Sequence, residues 1–109
     1  MMQPPSAQSS AEPEPVWATL VPERSPGTEG MSVDGDFVVV DGRGEMLRGL
    51  NATGAAVWEL IDGRRPLVEI AVEIARRYAK PFPAVLRDVI AFAHALSIKK
   101  MVRLRGGEE

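Results

Sequence analysis

The chain has 109 residues, a formal net charge of −2 and no cysteine. This length fits one domain with a tail, and the charge provides no large positive field to attract nucleic acid. Without cysteine, disulfides, cysteine-bound zinc, iron–sulfur clusters and thiol catalysis are excluded. The polar, proline-rich start is unlike a signal peptide, and no apolar run approaches the roughly 18 residues of a membrane helix. We therefore expect a cytoplasmic protein that makes no contact with a membrane.

Prolines crowd the first part of the chain, where few apolar residues lie among them. Such a segment buries too little apolar surface to offset the entropy lost on ordering. We therefore predict a disordered tail over residues 1–27, a folded domain over residues 28–105 and a second disordered tail over residues 106–109. Trp17 is an apolar exception in the first tail. It either docks on the domain or on a partner, or it remains a loosely held side chain.

Three strands and two tight turns are predicted at the start of the domain. A short strand over Met31–Val33 is followed by Asp34-Gly35, which favours a type I′ hairpin turn because both central positions need positive φ. Phe37–Val40 is rich in β-branched residues, which is typical of a strand. After a second turn over residues 41–44, Glu45–Leu50 forms the third strand. The three strands make an antiparallel meander.

Three helices follow the strands. Asn51 or Thr53 can cap the first helix by accepting a hydrogen bond from one of its free N–H groups. Pro66 and Pro83 suit the first turns of the second and third helices, and the third helix runs to about Ile98. The order of elements predicts an α+β fold, in which a three-stranded antiparallel sheet is followed by three helices, as in a winged helix-turn-helix.

The third helix has a wide apolar face. At roughly 100° per residue its apolar side chains span an arc of about 160°, whereas a single buried stripe covers roughly 100°. One edge of the face is then free to line a groove, unless helices and sheet together cover all of it. The face consists of Val85, Leu86, Val89, Ile90, Phe92, Ala93 and Leu96.

The residue types that carry chemistry form no recognisable site in this sequence. His94 falls on the polar side of the third helix, with no second histidine or cysteine to complete a metal site. Asp34, Asp36 and Asp41 lie in turns, where aspartate has a local backbone role. The glycine-rich stretch 41–44 lacks the Lys-Ser/Thr pair of a phosphate loop. We therefore predict a protein that is not an enzyme, with no catalytic residue, metal site or cofactor.

Scattered basic residues leave DNA binding as an alternative function. They can form a positive patch on a winged-helix regulator, although acidic residues interleave with them. A further alternative is a structural adaptor that tethers an enzyme through its apolar face. The basic residues concerned are Arg64, Arg65, Arg76, Arg77, Lys80, Lys99, Lys100, Arg103 and Arg105.

The run from Leu50 to Gly63 resembles a known family. It combines a strand ending in Leu-Asn, a turn of small residues, the run Trp-Glu-Leu-Ile and a closing Asp-Gly. This pattern resembles the PqqD-like proteins, or RiPP recognition elements, which are peptide chaperones of ribosomally made, post-translationally modified peptides. The likeness continues over residues 68–71, 74–78, 87–92 and 96–102.

Two features depart from the family pattern. Lys100 stands where the family usually has glycine, in the turn after the third helix. Phe37–Val40 and Glu45–Arg48 replace the aromatic-rich strand motif of the members that serve pyrroloquinoline quinone synthesis. The second departure argues against that pathway and leaves another peptide system open.

The resemblance implies a peptide-binding function. Family members bind the leader segment of a precursor peptide as a strand added to the third strand, in a cleft against the third helix. The peptide is presented to a separate modifying enzyme, such as a radical SAM enzyme or a leader protease. The implied peptide-binding residues are Gly44, Glu45, Met46, Leu47, Arg48, Gly49 and Leu50 on the strand and Val85, Asp88, Val89, Phe92 and Ala95 on the helix.

Several implied site residues also have an ordinary structural role. Arg48 can pair with an acidic leader residue, or it can serve as an edge charge that prevents aggregation. Val89 and Phe92 can line the pocket or pack in the core, and core packing is the stronger expectation for Val89. Trp58 is expected to be a core residue.

Overall fold

The computed structural model describes residues 17–106, so residues 1–16 and 107–109 of the predicted tails lie outside the described part. Within it, a three-stranded antiparallel sheet is followed by three helices, which confirms the predicted α+β class. Two more strands form a separate sheet. In chain order the elements are β1 (Val21–Arg24), β2 (Glu29–Val33), β3 (Asp36–Val40), β4 (Met46–Leu50), α1 (Ala52–Leu60), α2 (Leu67–Tyr78), α3 (Phe82–Ile98) and β5 (Val102–Arg105).

β3 is the central strand of the three-stranded sheet, with β2 on one side and β4 on the other. At the β2–β3 turn, Asp34 has a φ of 52° and Gly35 a φ of 86°, as a type I′ turn requires. β4 begins at Met46, one residue later than predicted. The reason is that Glu45 still belongs to the turn, where its N–H donates to Asp41 Oδ1 at 2.9 Å. The three predicted strands and their order are confirmed.

Asn51, rather than Thr53, caps α1. Its Oδ1 accepts a hydrogen bond from the Gly54 N–H at 2.9 Å, which satisfies one of the free donors of the first turn. Pro66 directly precedes α2, and Pro83 lies in the first turn of α3. Both positions suit a residue that has no N–H to donate, and α3 ends where the sequence predicts.

The core forms where the three-stranded sheet meets the helices. Trp58 of α1 is 3% exposed, as expected for a core residue. On α3, Leu86, Ile90 and Phe92 are half-buried on either side of a fully buried row. The wide apolar face is therefore covered in its middle and partly covered at its edges. The buried row of α3 is Val85, Val89, Ala93 and Leu96, and that of α2 is Leu67, Ile70, Ala71 and Ile74.

The prediction of a disordered tail is wrong for residues 17–27. β1 lies there and pairs antiparallel with β5. Val21 is buried, and the Leu20 carbonyl accepts a hydrogen bond from the Leu67 N–H at the start of α2, at 2.9 Å. The folded unit thus begins before residue 28. Local composition missed this strand because its pairing partner lies at the other end of the chain.

Trp17 docks on the domain. Its half-buried indole packs against the core and meets the His94 ring edge-on, with 5.4 Å between ring centroids. Further along, the Arg24 guanidinium lies 4.6 Å from the centroid of the Trp58 ring and donates to the Trp58 carbonyl. Residues 17–24, called here the N-terminal brace, are therefore held by ring contacts, a strand pairing and hydrogen bonds.

Gly30 on β2 packs directly against aromatic rings. A Cβ at this position would lie 2.7 Å from Trp58 Cδ1 and closer still to the Phe37 ring. We predict that Gly30→Ala lowers the free energy of unfolding by about 1–3 kcal/mol in a urea titration, because the added methyl overpacks the core. Gly42→Ala is the control, since a Cβ there meets nothing within 4 Å. Equal effects of the two substitutions would contradict this packing.

Besides Asp34, two described residues with a side chain sit in the left-handed region that favours glycine. Lys100 has a φ of 62°, at the position where the family pattern has glycine, and Ala79 after α2 has a φ of 53°. We predict that Lys100→Gly and Ala79→Gly each raise the free energy of unfolding by about 0.5–1 kcal/mol. Ala91→Gly, on the exposed side of α3, should lower it by about 1 kcal/mol. Urea titrations measure all three, and loss of stability in both of the first two variants would overturn the strain argument.

Candidate functional site

β4 is an edge strand, which pairs with β3 on one side and with no other strand of residues 17–106 on the other. Its outer N–H and C=O groups are therefore available to a further strand. Leu47 is half-buried against the core, while Met46, 41% exposed, and Arg48 face solvent. Of the other strand residues implied by the family resemblance, Gly49 and Leu50 complete β4, and Gly44 and Glu45 lie in the turn before it.

One side of α3 carries a stripe of residues spaced alternately three and four apart, so that they lie above one another on the helix surface. Val85 is buried, Phe92 and Ala95 are half-buried, and Asp88 is exposed. Val89 lies beside the stripe and is 1% exposed, as expected for a core residue. The stripe consists of Val85, Asp88, Phe92 and Ala95 and continues at Lys99, the residue that caps the end of α3.

β4 and α3 run side by side in opposite directions. Where the strand begins, Glu45 Oε1 lies 3.5 Å from Nζ of Lys99, at the C-terminal end of α3. Where the strand ends, Asn51 lines a cavity together with Val85, which lies near the start of α3. The lengths agree, because an extended chain from Glu45 to Asn51 covers about 20 Å and the helix from Val85 to Lys99 about 21 Å. The space between the two elements is the β4–α3 groove.

A cavity of about 380 Å³ lies at the end of the groove where α1 begins. Buried valines form an apolar floor, and exposed polar side chains form the rim. The cavity brings together four of the five helix residues implied by the resemblance, Val85, Asp88, Val89 and Phe92. The fifth, Ala95, lies about one helical turn further along the groove. The other lining residues are Asn51, Thr53, Gly54, Val57 and Lys80.

Sequence reasoning missed these other five residues. It assigns Asn51 and Thr53 to helix capping, and Lys80 to a scattered basic patch. Whether they reach the cavity depends on how α1 and α2 are placed against α3, which no local pattern encodes. The available signal was the cluster of small and polar residues that opens α1, directly after the edge strand.

An ionic clasp joins the β3–β4 turn to the C-terminal end of α3. Arg43 pairs with Asp41 and also donates to the Lys99 carbonyl at 2.6 Å. Asp41 accepts two more hydrogen bonds, from the N–H groups of Arg43 and Glu45, both at 2.9 Å. Desolvation alone would raise the pKa of Asp41, but the hydrogen bonds and the Arg43 charge together hold this pKa below its ordinary value. The clasp fixes the separation of β4 and α3 at this end of the groove.

Residues 17–106 hold no group of three histidine, aspartate or glutamate side chains placed to bind a metal ion. His94 is exposed on the side of α3 away from the stripe, and its ring contacts Trp17. Over the same residues, none of the helices has both the length and the apolar character that crossing a membrane requires.

We predict that Asp41→Asn reduces the pH dependence of the free energy of unfolding at acid pH. Because the pKa of Asp41 is lowered in the folded state, its ionised form stabilises the fold above the ordinary aspartate pKa of about 4. That contribution is lost as the pH falls through the lower folded pKa. Urea titrations at several pH values measure the free energy of unfolding of both proteins. The difference between wild type and Asp41→Asn should be largest near neutrality and shrink below about pH 4.

Asp36→Asn is the control for this prediction. Asp36 is exposed and forms no ion pair with any other described residue. Its replacement removes the same side-chain charge without breaking an ion pair of the described chain, so it is the baseline with which the Asp41→Asn difference is compared. A difference between wild type and Asp41→Asn that stays constant across pH would contradict the role assigned to the Asp41 carboxylate.

Comparison with known proteins gives one family match. The model of the family described as coenzyme PQQ synthesis protein D (PqqD) matches residues 36–102. That range contains β3, β4 and all of α1, α2 and α3, and it ends as β5 begins, whereas the N-terminal brace and β2 lie before it. No curated protein sequence matches the chain.

Solved structures that are similar to this chain include the following three. TbiB1, in complex with the TbiA(beta) leader peptide, has 26% identity and a TM-score of 0.62 over 74% of this chain and 94% of its own. Lasso peptide synthetase B1, complexed with the leader peptide, has 23% identity and a TM-score of 0.63, with 75% and 96% covered. The PqqD truncation of Methylobacterium extorquens PqqCD, described as a stand-alone RiPP recognition element, has 20% identity and a TM-score of 0.65, with 76% and 88% covered.

The last two structures, below 25% identity, establish the fold alone. The family match spans more than half of the chain and contains both walls of the β4–α3 groove. The resemblance noted in the sequence is therefore confirmed, and the chain belongs to the PqqD family.

Proposed function

We propose that this chain binds the leader segment of a ribosomally made precursor peptide in the β4–α3 groove and presents it to a separate modifying enzyme. One observation carries the proposal: the outer edge of β4, which pairs with no other strand of the described range, runs along a half-buried helix stripe that ends in a cavity. Family membership adds support, since TbiB1 and lasso peptide synthetase B1 were each solved with a leader peptide.

In this proposal the leader adds to β4 as a further strand. Backbone groups of Met46–Leu50 can bond to any extended peptide, so this part of the affinity demands no particular side chain. Successive side chains of the added strand point to opposite faces. Alternate ligand residues therefore face Phe92 and the cavity, while the others lie beside Met46 and Arg48. An apolar side chain in the first set fits the floor formed by Val57 and Val85.

The proposed role is binding and presentation, and a separate enzyme, such as a radical SAM enzyme or a leader protease, carries out the chemistry. A leader that is disordered when free loses conformational entropy on docking, so its affinity is moderate for the area it buries. Moderate affinity suits a carrier, because the peptide must be released after modification.

The DNA-binding alternative has no comparable support. Four arginines of the candidate basic patch, Arg65, Arg76, Arg77 and Arg103, each pair with a carboxylate. Lys99 also lies within ion-pair distance of a glutamate, in the clasp region. A DNA phosphate would have to displace these carboxylates, which weakens the electrostatic attraction on which DNA binding depends.

The test is an amide chemical-shift titration with the leader of a precursor peptide encoded beside this gene. We predict that shifts concentrate in residues 46–50 and in the α3 stripe, because a strand added to β4 changes the environment of both groove walls. Shifts confined to the N-terminal brace and β5 would place binding elsewhere. Absence of shifts with any such peptide, together with DNA binding that weakens steeply with salt, would overturn the proposal.

A matched pair of substitutions tests the helix wall. Phe92 and Ile90 are both half-buried on α3, at opposite edges of its apolar face, and Phe92 alone of the two lines the cavity. We predict that Phe92→Ala weakens leader binding about 5- to 30-fold, as loss of a buried aromatic contact does. Ile90→Ala should destabilise the fold but leave the dissociation constant within about twofold. Equal losses of affinity would contradict a binding role for this edge of the helix.

A further inference from the structure

Arg48 is an unengaged cation in the middle of the edge strand. It is the charged residue of β4, it is exposed, and it forms no ion pair with any residue of the range 17–106. The two cations at the opposite end of the groove from the cavity are occupied, because Arg43 pairs with Asp41 and Lys99 with Glu45. The Arg48 guanidinium is therefore free to pair with a group brought to this edge.

A strand added to β4 brings side chains directly beside Arg48. Opposed residues on neighbouring antiparallel strands have Cβ atoms about 4.5–5.5 Å apart, and opposite charges there attract while like charges repel. On the solvent-facing side of β4 the added strand has Met46 and Arg48 as neighbours. An acidic residue at the position facing Arg48 is favoured, and a lysine or arginine there is disfavoured.

The cavity rim adds a second unengaged cation. Lys80 is exposed after the end of α2 and lines the cavity, and it forms no ion pair with the described residues. Asp88 lies on the same rim but beyond ion-pair distance of Lys80. Of the charges along the groove that form no ion pair in the described chain, Arg48 and Lys80 are positive and Asp88 is negative. Their sum is positive, although the whole chain has a net charge of −2.

We infer that the ligand of the groove is an acidic peptide. Apolar residues alternate in it with polar ones, and the apolar side chains turn toward the cavity. At least one Asp or Glu lies among the outward residues, beside Arg48, with a further acid favoured near Lys80. This inference rests on the proposed function and specifies the class of peptide that the same groove accepts.

The first test selects ligands from random sequences, so the precursor need not be identified beforehand. A display library of random peptides of about 15 residues, long enough to span β4 at about 3.3 Å per residue, is selected on the immobilised full chain. We expect the enriched pool to gain Asp and Glu relative to the starting library, at positions alternating with apolar residues. Selection on an Arg48→Glu variant should enrich Lys and Arg at the same positions.

The second test is a charge swap on the most enriched peptide. Synthetic versions carry Glu, Gln or Lys at the position assigned to Arg48, and fluorescence anisotropy gives each dissociation constant. The wild-type chain should bind the Glu version about two- to fivefold more tightly than the Gln version, the range expected for one cross-strand ion pair. Arg48→Glu should prefer the Lys version, and Lys80→Glu should weaken binding of acidic peptides by a similar factor.

Arg64→Glu is the matched control, because Arg64 is an exposed arginine without an ion pair in the described chain, on the turn between α1 and α2. It should keep the wild-type preference. Urea titrations check that the free energies of unfolding of Arg48→Glu, Lys80→Glu and Arg64→Glu stay within about 0.5 kcal/mol of wild type.

The failures of the inference and of the proposed function are distinguishable. Enriched peptides without acidic bias, or a preference that Arg48→Glu leaves unchanged, would overturn the inference and leave Arg48 as an edge charge against aggregation, with peptide binding intact. A library from which no peptide is enriched over bare matrix would overturn peptide binding itself.

Discussion

The rotation of α3 about its own axis is the constraint on which the groove depends. Its buried row, Val85, Val89, Ala93 and Leu96, faces the other helices and the sheet. Burying one aliphatic side chain contributes about 1.5–3 kcal/mol, so turning this row out of the core would cost more than any single ligand contact returns. With the rotation set, Phe92 and Ala95 must lie at the border of the core, on the side of β4. The burial that stabilises the domain also builds one wall of the β4–α3 groove.

The sequence predicted well those elements whose causes are local. The hairpin followed from Asp34-Gly35, because few residue pairs tolerate positive φ at both positions. α1 and α3 followed from a cap, prolines and a 3.6-residue period. Lys100 is instructive in the opposite sense, because the fold keeps the left-handed turn although the residue is not glycine. The tertiary contacts that close the domain after α3 therefore override the local preference of that side chain.

What the sequence did not predict depends on contacts between distant segments. β1 has little strand character of its own, and it is ordered because β5 offers it a partner. Likewise, Asn51 and Lys80 join the cavity because α1 and α2 bring them to α3, and their local roles gave no hint of this. The wall formed by β4, in contrast, could be recognised from the sequence. The third strand ends the meander, and the later strand β5 pairs with β1 instead, so the outer edge of β4 is left open within the described chain.

An open strand edge normally favours aggregation, because it can pair with another chain. The N-terminal brace lies where it can hold the elements around this edge in place. Trp17 contacts His94 on the side of α3 that faces away from the stripe, and Leu20 bonds to the first residue of α2. β1 then ties down β5, which follows α3 directly. The helix that forms one wall is thus held from behind and at its C-terminal end, where the clasp of Asp41 and Arg43 also ties it to the turn before β4. Walls held in this way before a ligand binds would leave most of the ordering entropy of binding to the peptide. If the ligand had to order a wall of the groove, the cost would be subtracted from the few kcal/mol of binding free energy that the strand pairing supplies. A braced groove can therefore rely on backbone pairing for affinity and leave two exposed charges, Arg48 and Lys80, to discriminate among the peptides that fit.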